Sequence, residues 1–253
     1  MGGYFVSFFA APSIWGIGLA VVFGAIWLTC YTPPLLKQPW LWAVLPASAI
    51  LTLIAISFVQ IPLQDWSQQL LNHVSSQGTV LWQLLLTGLP ALLLSGLVQE
   101  GAKLVPVVAW WWRKGKNIDL RLGIAIGAMA GLGFGVFEAQ WVHNGIFASG
   151  WSWEMVQASG AIVLAGFWES FWFVAFHAAA SALAGYGLAR GWGWQFYLLA
   201  SCLHAAVLYS HLLLEAELLS DWQAEIFISF WAGLITGVVH WLGEREPASP
   251  ADE

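Results

Sequence analysis

Residues 122–143 read LGIAIGAMAGLGFGVFEAQWVH. An apolar run of this length covers the roughly 30 Å of hydrocarbon in a bilayer, which takes about 20 helical residues. Its glycines at 127, 131 and 135 are spaced four apart, the small-residue pattern that lets membrane helices approach closely. A single acid, Glu138, interrupts the run. Six further apolar stretches of spanning length surround it: Ile14–Tyr31, 40–61, 81–112, 158–189, 194–214 and 224–242. The expected fold is an all-α, polytopic membrane helix bundle of about seven transmembrane helices.

Composition agrees. Of 253 residues, 59% are hydrophobic and only 9% are charged, against about 25% charged in a soluble domain. So few charges exclude a soluble globule, a nucleic-acid binder and a disordered chain. Cys30 and Cys202 both fall within spans, where they read as packing residues rather than a secreted disulfide framework. Tryptophans cluster at span ends, at Trp40, Trp42, Trp110 to Trp112, Trp151, Trp153, Trp192, Trp194 and Trp241, as in an interfacial aromatic belt.

The eight Lys and Arg residues divide unevenly. Lys37, Arg113, Lys114, Lys116, Arg121, Arg190 and Arg245 all fall on one side if the spans alternate. The opposite loops (62–80, 144–157 and 215–223) hold none. Cationic loops stay cytoplasmic, which places the N-terminus outside and the C-terminus in the cytoplasm. No cleavable leader is evident, so the first span reads as an anchor. Residues 1–242 are expected to form one integral membrane domain, and 243–253 a short polar cytoplasmic tail. The eighth cation, Lys103, lies inside the third span.

Ionisable side chains in a span cost at least about 2.5–3.5 kcal/mol each to insert and mark functional sites. Helical rise of about 1.5 Å per residue sorts them by depth. Glu100 and His177 each sit twelve residues above the inner end of their span, about 18 Å up. His204 sits ten residues above its inner end, about 15 Å up. Glu138 is sixteen residues above Leu122, about 24 Å up. Four helices thus bring two Glu and two His to similar depth. Lys103 is three residues from Glu100, the spacing of a same-face ion pair. His143, Glu169 and His211 fall near the outer interface, and His240 near the inner one. Glu215, Glu217, Asp221 and Glu225 make an acidic outer patch, read as a solvated loop.

Such a cluster suits three classes of function. Peptide hydrolysis needs an activated water, a proton acceptor and an oxyanion stabiliser. Glu100 can serve as base, and His177, His204 and Glu138 can hold Zn²⁺ with one position open; a metal-free Glu/His version is equally consistent, and no HExxH zinc helix is present. A proton- or ion-coupled transporter also uses buried Glu, His and Lys, but no internal repeat is visible. A catalytically silent scaffold that holds a peptide or lipid is the third class.

The same residues resemble the PrsW-like intramembrane proteases, distant relatives of the CAAX-endopeptidase and bacteriocin-processing membrane proteases. That family carries Glu-Glu-x-x-Lys in one span, a Gly-rich span with Gly-Phe followed by Glu-Asn, and a His in each of two later spans. Here the third span reads Gln99-Glu100-Gly101-Ala102-Lys103, and the fourth Gly133-Phe134-Gly135-Val136-Phe137-Glu138-Ala139. His177 and His204 follow in the fifth and sixth. The chain departs from the pattern at Gln99 and Ala139. The resemblance implies an intramembrane endopeptidase of the bacterial inner membrane, acting on membrane-embedded or membrane-proximal peptides, with no nucleic-acid partner. It implies Glu100 as base, Lys103 tuning or pairing it, His177 and His204 as water or metal ligands, and Glu138 as a further ligand or stabiliser.

Overall fold

The computed structural model describes residues 2–74 and 81–245. Its described residues are built from helices and connecting turns, with no strand among them. The helices are α1 (Gly2–Ser7), α2 (Ile14–Tyr31), α3 (Leu41–Ala55), α4 (Ile61–Val74), α5 (Leu81–Arg113), α6 (Leu120–Ala148), α7 (Trp153–Ser159), α8 (Ala165–Ala189), α9 (Gly193–Glu215) and α10 (Asp221–Glu244). Among the described residues, seven helical segments are long and apolar enough to cross a membrane, so the expected all-α polytopic bundle is borne out. The short α1 and α7 are additions that spanning-length reasoning does not reveal.

The second span differs most from expectation. It continues past residue 61 because a π-helical turn, Ile56–Gln60, joins α3 to α4 without a break, giving one apolar segment over Leu41–Ser67. Of the tail expected at 243–253, Gly243 and Glu244 belong to α10, and residues 246–253 lie outside the described residues. Helix starts follow local chemistry. Ser13 and Asp119 accept backbone N–H groups at the first turns of α2 and α6, and Ser220 with Gln223 forms a capping box on α10, satisfying donors that a helix N-terminus leaves free.

α6 is the most enclosed span, and its packing against α8 dominates the bundle. The glycine spacing explains why. A methyl on Gly131 would strike the carbonyl oxygen of His177, and one on Gly127 that of Ser181. On the opposite side of α6, Gly133 lies against the backbone of Leu45 in α3. Only hydrogen at these positions lets α6 slot between two neighbours at backbone contact. The outer helices turn apolar side chains away from the bundle; on α10, Ile226, Phe230, Leu234, Val238 and Trp241 are exposed at spacings of three and four, the stripe of a lipid-facing helix.

Candidate functional site

Four helices contribute to one buried polar cluster. α5 supplies Glu100 and Lys103, α6 Glu138, α8 His177 and Ser181, and α9 His204. Glu100 and Lys103 are completely buried, and His177 and His204 are each 1% exposed. Lys103 Nζ lies 2.5 Å from Glu100 Oε1 and 2.9 Å from His177 Nδ1. His177 Nε2 lies 2.7 Å from Glu138 Oε2. His204 Nδ1 lies 2.7 Å from Glu100 Oε1, and Ser181 donates to Glu100 Oε2 at 3.3 Å.

Proton positions follow from what each group can do. An ammonium only donates, so His177 accepts at Nδ1 and carries its proton on Nε2, which donates to Glu138. A carboxylate only accepts, so His204 donates from Nδ1 to Glu100. The result is one row of charge-assisted hydrogen bonds running Glu138, His177, Lys103, Glu100, His204. Aromatic rings wall it off. Phe134 meets His177 edge-on at 5.1 Å, Phe176 meets His204 edge-on at 5.6 Å, and Lys103 Nζ is 5.7 Å above the Phe134 ring. This low-dielectric surround strengthens each internal pairing and raises the cost of leaving any member unpaired.

The row has an accessible end and an inaccessible end. The Glu138 side chain is 29% exposed, whereas that of Glu100 is wholly enclosed. Glu138 lines a cavity of about 250 Å³ together with Ser170, Phe173, Leu208, Glu169 and His211. The cluster is therefore open to its surroundings at Glu138. Glu100, already accepting from Lys103, His204 and Ser181, stands behind it.

Metal-ligating capacity falls on a set that includes Glu100. Ligand atoms of Glu100, His177 and His204 all lie within 4.8 Å of one another, so this buried group could hold a metal ion. The structure places Glu138 on the far nitrogen of His177. Two imidazoles and a carboxylate are a suitable donor set for a catalytic metal with one open position. Lys103 Nζ already sits at hydrogen-bond distance from two of the three residues, so an ion there would compete with the ammonium.

Sequence spacing does not reveal where Gln99 points. It turns away from Glu100 toward α3 and the π-helical turn, donating to Gln60 Oε1 at 3.1 Å. Gln60 in turn donates to Ser95 at 2.7 Å. Consecutive helical residues are rotated by about 100°, so position 99 faces a second helix pair. Ser181, four residues beyond His177, reads in the sequence only as a small packing residue; its hydroxyl reaches Glu100 because α8 meets α5 there. The outer residues also separate. His143 is buried, with Nδ1 3.3 Å from the Gly16 carbonyl, and His240 stacks on Tyr31 at 5.5 Å. His211 Nε2 lies 3.3 Å from Glu169 Oε1. Glu225, expected on a solvated loop, is only 6% exposed because it lies in the first turns of α10, against α8 and α9.

No family model matches the chain, and no curated protein or solved structure does either.

Proposed function

We propose that this integral membrane protein is an intramembrane protease of the PrsW-like class, located in a bacterial inner membrane and hydrolysing membrane-embedded or membrane-proximal peptide bonds. The observation that carries this reading is Glu138, a carboxylate half-buried at a cavity of about 250 Å³, hydrogen-bonded to His177 at 2.7 Å and backed by a buried row of paired charges. In peptide hydrolysis, Glu138 takes a proton from the attacking water and delivers it to the leaving amine. His177 holds the Glu138 carboxylate in place through Nε2–H. Lys103 fixes the His177 tautomer, and Glu100 with His204 fixes Lys103. The base role expected of Glu100 passes to Glu138 here, because Glu100 is enclosed and its oxygens already meet three donors.

A metal is the alternative way to activate the water. Zn²⁺ would be held by Glu100, His177 and His204, and would supply Lewis acidity and a lowered water pKa.

The test uses purified protein in proteoliposomes with a single-span peptide substrate. Wild type is expected to cleave it, and Glu138→Gln to lose about 10²–10⁴-fold in rate, the usual worth of a positioned general base. Equal turnover by both proteins overturns the assignment. Proton flux in the same liposomes, without cleavage, would instead identify the charged row as a transporter's relay.

A further inference from the structure

A second polar cavity, of about 270 Å³, opens where α8, α9 and α10 meet at the end of the bundle that the loop charges assign to the outside. Glu169, His211, Asp221 and Glu225 line it, with Ile162 and Ile228 among its apolar walls. We propose that this cavity binds a basic side chain, ammonium or guanidinium, of the peptide substrate. The proposal rests on the hydrolysis reading above and assigns that site a substrate class.

Glu225 points to a missing cation. Its side chain is buried, and its Oε2 atom meets no hydrogen-bond partner among the described residues. A buried carboxylate oxygen without a donor is costly. The chain cannot supply a cation locally, because the loops 62–80, 144–157 and 215–223 contain no Lys or Arg. His211 is engaged by Glu169. An ammonium or guanidinium from another molecule supplies the donor that Glu225 Oε2 lacks.

The geometry selects an organic cation. Among the described residues, only Glu100, His177 and His204 bring three ligand atoms within 4.8 Å of one another. The outer carboxylates are spread more widely than a bare metal ion requires. An ammonium offers three donors and a guanidinium five, enough to reach separated acceptors, while the apolar walls suit the methylene stem.

The cavity also connects to the chemistry. Glu169 and His211 line both this cavity and the one at Glu138. Glu138, the base of the hydrolysis reading, shares its cavity with Glu169 and His211, so the basic residue is placed close to the bond hydrolysed, on its outer side.

The experiment uses single-span Leu/Ala peptides that carry one Lys, Gln or Glu, stepped through six positions at the outer flank, with wild-type protein in phosphatidylglycerol liposomes. A Lys peptide is expected to show a KM about tenfold below its Gln counterpart, equivalent to about 1.4 kcal/mol. Glu225→Gln should remove that preference, and Glu225→Lys should shift it toward the Glu peptide. A Lys preference that survives both variants overturns the proposal. If wild type cleaves nothing, the hydrolysis reading fails, and equilibrium binding of the same fluorescent peptides decides the cation site on its own. Tighter Lys binding that Glu225→Gln abolishes sustains the site, whereas equal binding overturns it. Glu225-dependent retention of calcium, or of an ethanolamine headgroup, without any Lys preference also overturns it.

Discussion

Replacing Lys103 by Met removes the ammonium that bridges Glu100 Oε1 at 2.5 Å and His177 Nδ1 at 2.9 Å. Both charges of the pair are fully buried, so the loss leaves an uncompensated carboxylate in a dry interior. Breaking a buried pair from one side typically costs about 3–5 kcal/mol. Here the lower end applies, near 3 kcal/mol, because Glu100 keeps His204 and Ser181 as donors. Glu100→Gln leaves Lys103 with only the His177 nitrogen, a loss of similar size. The double variant contains neither charge and forfeits about two hydrogen bonds, worth near 1 kcal/mol each. The two single costs together reach about 6 kcal/mol and the double about 2, a coupling of roughly 4 kcal/mol. Reversible unfolding in dodecyl maltoside micelles titrated with SDS, followed by circular dichroism, measures all three variants. Additivity within about 0.5 kcal/mol, the scatter of independent sites, would refute the pairing and with it the assigned proton positions.

Gly131→Leu is expected to destabilise the bundle by at least 1–3 kcal/mol, the usual cost of overpacking, because its side chain must enter the space of the His177 carbonyl; the same unfolding titration checks it, and peptide cleavage should fall in parallel. Lys103→Met should retain zinc more tightly than wild type, by tenfold or more, since the ammonium lies at two of the three ligand residues and like charges repel strongly in a dry site. Zinc content after dialysis against a competing chelator gives the answer, and equal retention would show that Lys103 and the metal do not compete. Glu225→Gln should raise stability by about 1 kcal/mol, because an amide is cheaper to bury than a partnerless carboxylate; an unchanged unfolding midpoint would mean that Glu225 Oε2 is solvated.

The sequence by itself determined the spans and the depth of each ionisable residue along its helix. Those properties are local. Hydrocarbon thickness sets the length of residues 122–143, the Lys and Arg count orders the loops, and a constant rise per residue places Glu100, His177 and His204 at one level. The glycine spacing of α6 was also legible, since close approach leaves a periodic trace. Only the tertiary structure decided which way each side chain faces. Gln99 and Glu100 are neighbours in the chain, yet one bonds to Gln60 and the other to His204. The contact between Lys103 and His177 joins residues 74 apart, and no local pattern records it. The same holds for the exposed flank of Glu138, the hydroxyl of Ser181 on Glu100, and the burial of Glu225 near the start of α10. Depth is a property of one helix, whereas facing depends on how several helices pack around one another, and that packing settles which carboxylate is enclosed and which is left partly exposed.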